Sequence, residues 1–281
     1  MVVDESSMIE TRVFAAILAR ASDCDKLVLV GDVDQLPSIG NGLVLFDLIH
    51  SDKVPVSRML TSHRQTPASI GIGTLAAQIR NGERICLSRE YPGVRFIATD
   101  SRPEALDILA GLVASDGFQI ISPTKVAHHK LGAISLNRAV SLKLGGTGDI
   151  GQGDRVIVIR SDEEDDPQFF NGDIDAVERL ERINREDCAV LTRIKKPVPL
   201  HSLELAYAIT IHKSQGSEFN RVAIPIANES IRMLTRELVY TAVTRAKIEV
   251  VFVGEVGLLC GEFRRDMRKT LLGEKLSVAS T

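Results

Sequence analysis

The chain has 281 residues, 44% hydrophobic, 25% charged and 4% aromatic with no tryptophan, and a formal net charge of −3. That is enough apolar material for one large or two ordinary globular domains, and no apolar run nears the ~18 residues of a membrane span. The slight negative charge excludes a bulk basic footprint, so any grip on nucleic acid has to come from a local groove.

The chain opens MVVDESSMIE, with no basic segment and apolar stretch of the kind that heads a secretory leader. Asp4 and Glu5 follow a short apolar run. At the end of a strand in an open α/β sheet, an Asp can hold magnesium through water and a Glu can take a proton from an attacking water. The same residues also suit a helix start, because Asp4, Ser6 and Ser7 are good caps. Residues 10–20 carry Val13, Ala16 and Ile17 at helical spacing, followed by Ala21. Residues 26–31 (KLVLVG) read as a buried strand that ends in GDVDQLP. Gln35 in that turn could bond a terminal phosphate or place a water, and alone the segment could equally be a loop. In LTSHRQ (residues 60–65), Arg64 could clasp a phosphate with two parallel hydrogen bonds or be an ordinary surface arginine.

Residues 103–114 read as a helix with Pro103 near its start, and residues 119–122 (QIIS), 221–226 (RVAIPI) and 249–254 (EVVFVG) as parallel strands. Strands alternating with helices predict an α/β fold, a parallel sheet covered on both faces. Residues 145–154 (GGTGDIGQGD) break the rhythm and open a run of short strands to residue 203 with an Asn171-Gly172 turn signal, read as a small inserted β-barrel. The GxGxxG at Gly146, Gly148 and Gly151 has a strand after it and none before it, so it reads as a turn and not a dinucleotide fingerprint. The acidic stretch 161–166 (SDEEDD) reads as a solvated loop. Residues 206–219 (AYAITIHKSQGSEF) run from an alternating strand into hydroxyls, a base and an amide suited to phosphate contacts. Residues 238–247 (LVYTAVTRAK) read as a helix with Arg245 one turn beyond Thr241, a placement from which an arginine can reach a γ-phosphate. Four scattered cysteines, Cys24, Cys86, Cys188 and Cys260, make no CxxC pair, which argues against zinc and disulfides and for a reducing, cytoplasmic setting.

Taken in order, DESSM, GDxDQLPS, LTxxRQ, ISPTK…LN, AYAITIHKSQGSEF and VYTAVTRAK resemble superfamily 1 DNA helicases, above all the RecD-like branch and the helicase part of conjugative relaxases. The resemblance spans about residues 2–254. It implies RecA-like parallel sheets of the phosphate-loop NTPase type, with ATP in the cleft between two of them and single-stranded DNA across them. It further implies Asp4 as the magnesium acid, Glu5 as the catalytic base, Gln35 as the γ-phosphate sensor, Arg64 and Arg245 as the two arginines, and Glu218 at the ribose. Thr210, His212, Lys213 and Ser214 fall in the segment that meets DNA. The implied domains are a remainder of a first RecA-like domain (1–57), a second one (58–144 and 204–263), an inserted Src-homology-3-like barrel (145–203) and a tail (264–281). Movement from 5′ to 3′ and roles in repair, recombination or plasmid transfer are inherited from the resemblance.

The sequence departs from that family in one large respect. No glycine begins GxxxxGK[ST], the loop whose amides, Lys and hydroxyl hold phosphates and magnesium. With only three residues before Asp4, the chain reads as the C-terminal portion of a helicase, its other half supplied by a separate chain or lost. His63 replaces the Phe usual in relatives. Two functions follow as expectations: the C-terminal part of an ATP-dependent 5′-to-3′ helicase, inactive by itself, or a remnant that binds single-stranded DNA or a partner without hydrolysis.

Overall fold

The computed structural model describes residues 1–59, 66–126, 131–161, 168–265 and 272. Arg64 and His63 lie outside the described residues, as does most of the acidic stretch.

The first unit is a small βαβ arrangement. Strand β1 (Val2–Val3) pairs in parallel with β2 (Val28–Leu29), with Val2 opposite Val28 and Val3 opposite Leu29. Helix α1 (Thr11–Arg20) makes the crossover, and α2 (Val44–His50) follows. Ile9, Phe14, Val44 and Leu48 form the buried cluster beneath them. The expected strand 26–31 is thus shortened to two ladder residues, although Val30 still donates to Val3 O at 2.8 Å.

Helix α3 (Ile70–Asn81), strand β3 (Val94–Ala98), helix α4 (Arg102–Asp116), strand β4 (Gln119–Ser122) and helix α5 (Ala133–Lys143) begin the main layer. After the insert the chain returns as β10 (Ala208–Thr210), β11 (Phe219–Ile226), helix α6 (Arg236–Thr244) and β12 (Ala246–Gly254). The sheet order is β10-β4-β11-β12-β3 and every pairing is parallel. Side chains on a strand alternate between faces. Val250 and Phe252 therefore pack with Leu75, Ile79, Leu238 and Ala242 of α3 and α6. Val251 and Val253 pack with Leu109, Val113, Leu136 and Val140 of α4 and α5 on the other face. This confirms the two-sided α/β layer. Ser101 caps α4, accepting from Glu104 N, and Pro103 sits in its first turn. The helix expected over 238–247 is corrected: α6 ends at Thr244, and Ala246 and Lys247 already belong to β12.

Between β4 and β10 stands an antiparallel sheet of β5 (Arg155–Val158), β6 (Ile174–Ile183), β7 (Glu186–Leu191), β8 (Pro197–Pro199) and β9 (Leu203–Leu205), in the order β8-β7-β6-β5-β9. Strand β6 gives its first residues to β5 and the rest to β7, with an irregular register between Val177 and Arg179. The expected barrel is here an open ladder, since β8 and β9 meet through the turn Leu200–Ser202 and share no pairing among the described residues. The tight hairpin turn is Asn184-Arg185, both at positive φ (50° and 74°), the geometry that two-residue hairpin loops favour. The expected Asn171-Gly172 turn also forms before β6, closed by Asp173 N donating to Phe170 O at 3.1 Å, and Gly172 N reaches Val158 O.

Strand β10 is an edge of the main sheet, and the amide of Asn137 substitutes for a neighbouring strand. Its Oδ1 accepts from Ala208 N at 2.7 Å, and its Nδ2 donates to Ala208 O at 2.8 Å and Leu205 O at 2.7 Å. Each buried polar group left unpaired costs about 1–3 kcal/mol. Asn137→Ala should therefore lower the urea midpoint with an unchanged m value, by at least that amount in free energy. A variant within 0.5 kcal/mol of the parent, roughly the scatter of neutral surface changes, would show that the amide is dispensable.

Candidate functional site

Three of the polar motifs, after β1, β2 and β10, leave the carboxyl ends of parallel strands, where open α/β sheets bind ligands, while Thr241 and Arg245 come from α6 and the turn into β12. Strand β1 runs into Asp4, whose Oδ1 accepts from Glu5 N at 2.8 Å. Glu5 is left-handed (φ 49°) and heads the short turn Ser6–Met8. This turn lets the chain drop sharply off the strand. Ser6, buried to 1% exposure, donates from its N to Val30 O and from its Oγ to Val3 O. The two strand ends are thereby sewn together beyond their short ladder. Gly31 allows it: a Cβ there would sit 2.9 Å from Ser7 N and 3.0 Å from Ser6 N.

From Gly31 the GDVDQLP turn crosses to the main layer and is held by four of its side chains. Gln35 Oε1 accepts from Arg245 Nη2 at 3.1 Å. Leu36 N donates to Thr241 Oγ1 at 2.8 Å, and Leu36 O accepts from Gln215 Nε2 at 2.9 Å. Asp32 Oδ2 accepts from the Tyr240 hydroxyl at 2.9 Å. Arg245 is 2% exposed and also donates to Thr241 O and Ser217 O, at 3.2 and 3.1 Å. A buried guanidinium is stable only with its donors engaged, and in this state protein acceptors engage them. Burial, then Asp32, raises the Asp34 pKa above the usual carboxylate range. Burial and the same Asp32 carboxylate hold the Tyr240 phenol well above its ordinary value.

The segment after β10 divides by burial. Ser214 is fully buried and donates its hydroxyl to Ile211 O, so it shapes the turn from inside. Thr210 Oγ1 accepts from Lys213 N at 3.2 Å. Burial lowers the His212 pKa. Lys213 Nζ meets Glu204 at 2.6 Å, and Glu218 pairs with Lys247 at 2.9 Å. Gln35 and Arg245 are thus brought into direct contact. Asp4 and Glu5 leave the neighbouring strand end, and Glu218 borders the Ser217 carbonyl that Arg245 holds. Sequence reasoning assigned no role to Asp32, Tyr240 or Thr241, although all three lie inside quoted motifs, and read the Gln215 amide as suited to phosphate contacts, whereas it holds Leu36 O. It missed Glu204, which no motif signals.

No group of three or more metal-binding side chains exists among the described residues. Asp4, a single exposed carboxylate, fits magnesium, which keeps several waters and binds through one or two carboxylates plus substrate phosphates. No helix of the described residues is long and apolar enough to cross a membrane.

Two sequence families match. A UvrD-like helicase C-terminal domain covers residues 205–253, and an AAA domain covers residues 1–92. The chain is 33% identical to the RecBCD enzyme subunit RecD of Mycobacterium tuberculosis, over 98% of this chain and 53% of that protein. The chain is similar to the RecD-like branch of superfamily 1 helicases along nearly its whole length. It is 27% identical to the ATP-dependent RecD2 DNA helicase of Deinococcus radiodurans, over 98% of this chain and 39% of that one. This RecD-like chain thus spans about half the length, or less, of these curated relatives. Its fold is similar to that of the Pif1 helicase from Bacteroides in complex with ADP-AlF3 and ssDNA, with a TM-score of 0.51 and 16% identity over 99% of this chain and 74% of that one.

Two outcomes test the site's construction. Thr241→Val removes the acceptor of the buried Leu36 N–H and should cost about 1–3 kcal/mol in urea unfolding; an unaffected midpoint would mean the contact is not formed. Burial holds the His212 pKa in the folded chain below that of the unfolded chain, which takes up a proton near pH ~6.5. Stability on this account falls as pH drops below that value. His212→Gln should flatten this part of the curve of melting temperature against pH, and an unchanged slope would contradict it.

Proposed function

We propose that this RecD-like chain forms the part of an ATP-dependent 5′-to-3′ DNA helicase that senses the γ-phosphate and grips single-stranded DNA. The observation that carries this reading is the Gln35–Arg245 hydrogen bond at 3.1 Å. It joins a turn from the first unit to the end of α6, so a nucleotide that drew either group to its phosphate would alter the tie between the two units. In this reading Gln35 orients toward the terminal phosphate, Arg245 exchanges its protein acceptors for phosphate oxygens, and Arg64 adds a second cation. Glu5 takes the proton of the attacking water, Asp4 holds the magnesium that accompanies ATP, and Glu218 faces the ribose. Thr210, His212 and Lys213 line the DNA side, with Ser214 as internal support. The inserted sheet serves as the counterpart of the family's Src-homology-3-like module.

None of the 281 residues begins a GxxxxGK[ST] loop, so the amides and Lys that neutralise phosphates have to come from residues outside this sequence, in a longer protein or in a partner chain. By itself the chain is then a single-stranded DNA binder without turnover. A coupled ATPase assay with oligo(dT) should show no DNA-stimulated phosphate release, while oligo(dT) binding by anisotropy should be measurable and weaken with salt. Robust turnover that disappears in Glu5→Gln would overturn the claim of inactivity, and the absence of any binding would overturn the DNA reading.

A further inference from the structure

Strands β4 and β10 are neighbours, with Ser122 opposite Thr210. Lys125 and Lys213 each lie three residues beyond that pair, so both stand at the carboxyl edge of the main sheet. Between them reaches Glu204 of β9, from the inserted sheet. Its Oε1 accepts from Lys125 Nζ at 2.9 Å and its Oε2 from Lys213 Nζ at 2.6 Å. The three line a small cleft with Asn137, Ile157 and Thr210. The lysine side chains are 51% and 30% exposed, and each ammonium has three donors. Burial would raise the Glu204 pKa, but the hydrogen bonds from Lys213 and Lys125 outweigh it and hold the carboxyl below its usual range.

One carboxylate thus presents two oxygens and one negative charge to two cations from separate strand ends. A nucleic-acid phosphodiester has the same two oxygens and the same charge. We propose that Glu204 is a resident anion in a phosphodiester site formed by Lys125 and Lys213, which a phosphate of single-stranded DNA displaces. This rests on the DNA-binding reading above. It adds that the inserted sheet throttles that binding through one side chain. An ordinary structural ion pair makes the opposite prediction, because removing Glu204 would then leave the lysines misplaced.

The test is anisotropy with fluorescein-labelled oligo(dT) on the full chain. Glu204→Gln should bind several-fold tighter than the parent at low salt. Adding Lys125→Gln and Lys213→Gln should abolish the gain. Glu249→Gln, which removes a negative charge beside Arg95 and Arg221, should stay near the parent. Glu204→Gln binding no tighter than a parent that binds, or a gain that survives loss of both lysines, would overturn the resident-anion role and leave the DNA reading standing. If no form binds, both fall. Should Glu204→Gln fail to fold, Lys125→Gln with Lys213→Gln in the parent decides: weaker binding supports the site and unchanged binding refutes it.

Discussion

The candidate site depends on the burial of Arg245. A guanidinium at 2% exposure has to place its donors on fixed acceptors, and it finds them on Gln35, Thr241 and Ser217, in three separate segments. The cost of leaving any of these donors unmet is what locks the segments together. The Leu36 contacts with Thr241 and Gln215 repeat the arrangement with backbone groups. The 31–37 turn is therefore positioned by the second layer as firmly as by its own strand.

The junction between the 31–37 turn and the second layer is polar throughout. The bonds across it are few, directional and polar, so a competing ligand with strong acceptors can replace them one for one. A large apolar interface would resist such exchange. The Lys125–Glu204–Lys213 cluster has the same polar character at the carboxyl ends of β4 and β10, where a carboxylate bridges two cations. The two differ in place: Lys125 and Lys213 follow the carboxyl ends of β4 and β10, whereas Arg245 stands at the amino end of β12 and meets a turn that leaves the carboxyl end of β2.

Much of the fold was legible in the sequence. The runs QIIS, RVAIPI and EVVFVG are strands because they are apolar on both sides, as a doubly covered parallel sheet requires. Pro103 and Ser101 marked the start of α4. The KLVLVG run gave only two ladder residues because β1, its sole partner among the described residues, is itself two residues long. The helix over 238–247 was read too far because Thr244 to Lys247 carry no helix breaker, and the pairing of β12 with β11 claims Ala246. The insert was recognised by its turns and short strands, but its hairpin at Asn184-Arg185 lacks a glycine and gave no turn signal.

The motif residues Asp4, Glu5, Gln35, Glu218 and Arg245 were read from the sequence because their chemistry and order are local properties. Their mutual arrangement was not. Tyr240 meets Asp32 across a sequence separation of 208 residues, and no periodicity or spacing encodes such a contact. Glu204 sits in a short strand whose neighbours give it no distinguishing mark, and only the return of the inserted sheet to the edge of β10 places it between two lysines. The sequence by itself determined the layer, the strand ends and the chemical groups available there. The tertiary structure decided which of those groups touch, because hydrogen bonds between distant segments depend on how the sheets pack.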